Sequence, residues 1–185
     1  NANLAPSFRN LSALAMSPSG KISSVPFKPV RKGFELGLEL TTGTWTLELI
    51  AVGPIGPVPL TQMTFYVDQV LPLEHRDRWA PDDALLTNAN AYLVGLINQE
   101  RKRSGVPDLI HDPLLAGIAL NHSVDMQRSG YVGHMSPTTG SVGDRLDAAS
   151  YKGLTYGENV ALNATITDAH EGLIRSLGHR RNLLS

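Results

Sequence analysis

Two hydrophobic periods divide the chain. Up to about Leu73, apolar and polar positions alternate, as they do in half-buried strands. In Phe34-Glu35-Leu36-Gly37-Leu38-Glu39-Leu40 the apolar side chains share one face and the glutamates the other. Thr41-Thr42-Gly43-Thr44 reads as a turn, and Trp45, Leu47 and Leu49 then alternate with Thr46 and Glu48, so the pattern predicts a hairpin. Gly53-Pro54-Ile55-Gly56-Pro57 makes the next turn, because Gly admits positive φ while Pro fixes φ and removes a ladder donor. A further strand is predicted from Val58 to Val70. Two earlier ones, Phe8 to Met16 and Ile22 to Phe27, flank a Ser17-Pro18-Ser19-Gly20 turn. Short strands at this spacing predict an all-β, small Ig-like sandwich over residues 1–73.

Residues 74–83 are charged and include Pro81, which predicts a linker. Beyond it the period lengthens. Leu85, Ala89, Tyr92, Leu93, Leu96 and Ile97 recur at three- and four-residue steps, one face of a helix that Gly105 ends. Asp112-Pro113 starts a second helix, with Asp as N-cap and Pro at the first helical position. Its apolar face is Leu114, Leu115, Ile118, Ala119 and Met126, and Gly130 closes it. A short helix over Val142 to Ala149 and another from Ala169 to Ser176 complete a second domain over residues 84–185. No repeat is evident.

Composition narrows the chemistry. A chain of 185 residues with 42% hydrophobic and 18% charged residues is globular, with room for one ordinary domain or two small ones. A net charge of -1 creates no broad field for nucleic acid or an anionic membrane. The absence of cysteine excludes disulfides, thiolate zinc sites and a cysteine nucleophile. No apolar run approaches the roughly 18 to 20 residues of a membrane helix, so no integral membrane segment is expected. The opening Asn1-Ala2-Asn3 carries no signal-peptide pattern, and export is not legible there.

The reactive residue types of the second half fall in three short clusters: Gly133-His134-Met135-Ser136-Pro137, Tyr156-Gly157-Glu158-Asn159-Val160 and Gly178-His179-Arg180-Arg181-Asn182. Each adjoins a glycine where one element hands over to the next, and such side chains can converge on one cleft or simply tie three loops together. Together with Leu96-Ile97-Asn98-Gln99-Glu100-Arg101, Gly105-Val106-Pro107, Gly130-Tyr131 and Gly143-Asp144-Arg145-Leu146, they resemble the CAP superfamily over residues 88–185, and its bacterial cysteine-free branch best.

The resemblance implies an α-β-α sandwich whose last strands follow the Gly-His-Arg segment. The sequence stops at Ser185, so the reading is of an α+β CAP-type domain without those strands, and of a longer natural chain. It also implies a secreted or cell-surface protein with a cleft built by His134, Glu158 and His179. There His134 and His179 would ligate a divalent cation, zinc above all, with water or a solute completing the shell. Asn159 and Ser136 border that cleft. Glu171 is the nearest candidate for a second cavity acid, although Asp168-Ala169-His170-Glu171 also fits a capping box. Leu173 stands where the bacterial branch usually has tryptophan.

His170-Glu171 begins like a metalloprotease helix, but Ile174 occupies the place of the second histidine, which excludes that reading. Ser136 before Pro137 reads as a turn residue rather than a nucleophile. The family shares no single activity, and a fold confers none. The first expectation is therefore a non-enzymatic binding protein that takes a cation or small ligand in the cleft, with the β-domain meeting an extracellular or cell-surface protein. A metal-dependent hydrolase or peptidase with Glu158 as general base comes second, and lipid or sterol binding third.

Overall fold

The computed structural model of the protein describes residues 9–30, 33–70 and 88–185. The chain divides into two units, Asn1–Ala80 with Ser176–Arg181, and Pro81–Arg175 with Asn182–Ser185. The linker expected at 74–83 and the helical position expected at Leu85 lie outside the described residues.

In the first unit the strands are β1 (Arg9–Met16), β2 (Ile22–Ser24), β3 (Phe27–Val30), β4 (Gly33–Leu36), β5 (Gly43–Gly53) and β6 (Gly56–Val67). The order β2-β1-β5-β6 makes a four-stranded antiparallel sheet, and β3 with β4 makes a separate two-stranded one. Two of the predicted turns form as read. Ser17–Gly20 joins β1 to β2, and Pro54-Ile55 joins β5 to β6, with Gly53 paired to Gly56. The hairpin expected over residues 34–49 does not form. Both edges of β5 are taken, by β1 and β6, and β4 pairs with β3 instead, Phe27 opposite Leu36 and Val30 opposite Gly33. The single strand expected from Ile22 to Phe27 is likewise split, at Val25-Pro26, where Pro26 has no donor for the ladder.

One sheet face carries the core. Ala13 opposite Leu49 and Ala15 opposite Leu47 are buried with Val25, and Phe27, Phe34, Leu36, Leu38 and Trp45 pack against them. The aromatic rings of Phe27 and Phe34 meet edge to face at 6.1 Å. This is a sheet with a hairpin packed on its core, a coarser description than the Ig-like sandwich expected. The opposite face carries Leu14 paired with Glu48, both buried. Glu48 Oε2 accepts the Gly178 N–H at 2.8 Å.

The second unit is helical: α1 (Ala89–Arg103), α2 (Pro113–Ser129), α3 (Val142–Ala148) and α4 (Ile166–Arg175). A last helix, α5 (Leu177–Leu183), was not expected from the sequence, and its residues up to Arg181 belong to the first unit. The caps explain the bounds. Asn88 Oδ1 accepts the Ala91 N–H at 2.9 Å, and Asp112 Oδ1 accepts those of Leu114 and Leu115. Gly130 ends α2 at φ 69°, where a side chain would be strained. Helix α4 starts three residues earlier than expected. Thr165 Oγ1 accepts the Asp168 N–H at 3.0 Å, so Thr165 opens the helix and the predicted Asp168–Glu171 capping box is not the one used.

Leu146, Leu173 and Leu183 are the buried apolar residues of this unit. Buried Arg101 donates to the carbonyls of Pro107 and Leu183. The predicted apolar face of α2 is only partly covered: Leu114 and Leu115 are exposed, and the fully buried side chain of that helix is His122. Among the described residues of the unit, the β pairing is an isolated bridge between Ser136 and Gly140, so the strand layer of an α-β-α sandwich is not among them.

Candidate functional site

His134 sits in the loop between α2 and α3, and Glu158 in the irregular stretch before α4. Gly157 precedes Glu158 because the chain passes close to Asn182: a Cβ at Gly157 would lie 2.8 Å from Asn182 Cγ. The Asn182 Nδ2 group in turn donates to Asn159 Oδ1 at 3.0 Å.

Glu158 joins two cations or would-be cations. Its Oε1 lies 2.8 Å from His134 Nδ1, and its Oε2 accepts from Arg145 Nη2. Arg145 is 7% exposed, and its Nη1 also donates to the Gly140 carbonyl at 2.8 Å and the His134 carbonyl at 3.4 Å. Burial alone would raise the Glu158 pKa. Hydrogen bonds from His134 and Arg145, with the guanidinium charge, outweigh it and hold the carboxyl below its ordinary range. An ionised carboxylate only accepts, so the proton of a neutral His134 ring resides on Nδ1 and its Nε2 carries a lone pair. Nε2 has no hydrogen-bond partner among the described residues, and the side chain is 23% exposed.

The loop around His134 is tied to α2. His122 Nε2 lies 2.9 Å from the Gly133 carbonyl, which accepts only, so Nε2 carries the proton. Ser136 is buried. Its Oγ donates to Asp125 Oδ2 at 2.7 Å and accepts the N–H groups of Thr138 and Thr139, the arrangement of a turn residue. Asp125 also accepts from Tyr131 and Thr138, and these hydroxyls, that of Ser136 first, lower its pKa to about 2.

The expected residues therefore have different fates. His134 and Glu158 are brought together, with Ser136 and Asn159 in the adjoining chain. Glu171 is half exposed on α4 and pairs with Arg175 at 3.2 Å. His179 lies on α5, its Nδ1 2.9 Å from Ser176 Oγ. The sequence presents Arg145 only as part of a motif and does not single out Asp125. Burial identifies Arg145 and hydrogen-bond partners identify Asp125, and neither is visible in a linear sequence. Among the described residues no three His, Asp or Glu side chains are grouped to hold a metal. The donor chemistry that is present, an imidazole backed at Nδ1 by a carboxylate, is that of a single metal-binding histidine with its outer partner.

A second feature of the same unit is an apolar cavity of about 490 Å³ bordered by α1, α2, α4 and residues 158–161. Leu93, Ile97, Leu115, Met126 and Leu173 line it, with Glu158 and His122 among the polar residues. No helix among the described residues is long and apolar enough to cross a membrane.

The CAP model, described as the cysteine-rich secretory protein family, matches residues 94–185. The uncharacterized membrane protein YlbC of Bacillus subtilis is 35% identical over 100 residues, covering 54% of this chain and 29% of the relative. The uncharacterized protein YkwD of the same organism is 35% identical over 94 residues, 50% of this chain and 37% of the relative. The chain thus spans about a third of the length of these curated relatives. A crystal structure of an extracellular protein containing a SCP domain from Bacillus anthracis superposes with a TM-score of 0.53 over 80% of this chain and 59% of that one, at 24% identity, a likeness of fold. From residue 94 to 185 the chain belongs to the cysteine-rich secretory protein, or CAP, family.

Proposed function

We propose that the CAP segment is an extracellular, non-enzymatic binding module whose working group is His134 Nε2. The observation that carries this reading is the bridge of Glu158 between His134 Nδ1 and Arg145. It holds the ring in one tautomer with a lone pair directed away from its support, ready for a divalent cation or for a ligand that donates a hydrogen bond. The similar SCP-domain protein of Bacillus anthracis is extracellular, which supports the location.

With a cation, His134 supplies one ligand, and Glu158 acts through the imidazole rather than on the ion. The family resemblance names His179 as the other ligand; water or a solute completes the shell. Both oxygens of Glu158 are engaged, which weighs against its taking a proton from water as a hydrolase base. Calorimetric titration of Zn2+ into the wild type, His134→Ala, His179→Ala and Glu158→Gln tests the reading. Binding should be lost in His134→Ala and weakened about 10- to 100-fold in Glu158→Gln. Equal binding by the wild type and His134→Ala removes the cation reading. Chelator-sensitive peptide hydrolysis lost in Glu158→Gln would make the protein an enzyme.

The apolar cavity favours a second reading, binding of a lipid or sterol. Displacement of a fluorescent fatty acid or sterol, blocked by Leu115→Trp, is its test.

A further inference from the structure

We propose that Asp125 on α2 is the positioning residue for His134: its carboxylate gathers the hydroxyls of Tyr131, Ser136 and Thr138 and fixes the loop that presents the imidazole before any ligand arrives. This rests on the reading of His134 as the presented group.

The three donors lie on both sides of His134 in sequence, Tyr131 before it and Ser136 and Thr138 after it. Their oxygens lie 2.6, 2.7 and 2.8 Å from the carboxylate, and Ser129 adds a fourth contact at 3.4 Å. Only an ionised carboxylate can serve so many donors, because it has two acceptor oxygens and no proton of its own. Ser136 extends the grip into the backbone. Its Oγ accepts the N–H groups of Thr138 at 3.0 Å and Thr139 at 2.9 Å, and its backbone pairs with Gly140 in both directions.

Helix spacing places the other contacts of the loop on the same side of α2. His122, Asp125 and Met126 lie three and four residues apart, one helical face. His122 donates to the Gly133 carbonyl, and Met126 sulfur accepts the Gly133 N–H at 3.5 Å. From α3, Arg145 donates to the carbonyls of Gly140 and His134. The loop is therefore held from two helices, and Asp125 is the group on which its side-chain hydroxyls converge. The low Asp125 pKa means that the clamp persists at any physiological pH, which suits preorganisation rather than switching.

The test uses the full chain labelled with 15N and two readouts that need no ligand. The first is the His134 tautomer, from long-range 15N–1H correlation above neutral pH. The second is exchange protection of the Thr138 and Thr139 amides. The wild type should show a single Nδ1–H tautomer. Asp125→Ala should show an averaged one, with protection at both amides reduced about tenfold or more. Asp125→Asn, which keeps the shape and one acceptor, should lie between them and serves if the alanine variant does not fold. Leu173→Ala is the control: a comparable loss of Tm with the tautomer and loop protection retained. The proposal is overturned if both Asp125 variants keep the wild-type tautomer and protection, or if Leu173→Ala loosens the loop equally. Absence of Zn2+ binding by the wild type would count against the cation reading alone, since neither readout involves metal.

Discussion

Replacement of Arg145 by Met removes a buried guanidinium and leaves the Glu158 charge without its cation. Breaking a buried pair from one side costs about 3 to 5 kcal/mol. The Glu158 side chain is 15% exposed and keeps its bond to His134, so the lower end, about 3 kcal/mol, is expected. The Gly140 carbonyl also loses its donor, which adds to the cost rather than offsetting it. Urea unfolding followed by the helical far-UV signal measures the difference. With a slope of about 2 kcal/mol per M, the midpoint should fall by about 1.5 M. Adding Glu158→Gln to the Arg145→Met variant should cost less than Glu158→Gln alone, because the uncompensated charge has gone. A midpoint shift below about 0.5 M at unchanged slope, or additive effects in the cycle, would refute the bridge as the organiser of the site.

Three further outcomes follow from burial and protonation. The Asp125 pKa is lowered from 3.8 to about 2 in the fold, so its contribution is complete above the unfolded value and disappears as pH falls through the folded one; Asp125→Asn should flatten the acid limb of stability between those values in a pH series of urea midpoints. Burial lowers the His170 pKa from 6.5, and its Nε2 has no partner, so stability present above the unfolded value should decline as pH drops below it; His170→Leu should remove that decline. Leu146 is 5% exposed, and Leu146→Ala should lower stability by about 2 to 5 kcal/mol in the same assay, whereas Leu154→Ala, fully exposed, should change little.

The grouping of His134 with Glu158 was legible in part. His134 and Glu158 each stand beside a glycine in a short polar cluster, which a linear reading picks out as candidates. Arg145 was less visible, because an arginine in a helix with Asp144 and Asp147 nearby reads as a solvated charge until its burial is known. Asp125 was hidden for another reason: its three short hydroxyl contacts come from residues 6, 11 and 13 positions away, outside any helical repeat.

Local physics determined most of the element boundaries. Alternation placed β1, β5 and β6, and Asp112-Pro113 and Gly130 bounded α2, because a strand face, a cap and a left-handed terminus each depend on a few adjacent residues. Tertiary structure alone decided which strands pair. The 34–49 segment has a hairpin pattern, yet β1 and β6 satisfy both edges of β5, and pairing energy goes to the whole sheet rather than to the nearest turn. Tertiary structure likewise decided what Glu158 is. A carboxylate after a glycine is a base, a ligand or a surface charge in sequence. Burial between His134 and Arg145 takes both its oxygens and makes it the group that orients the imidazole.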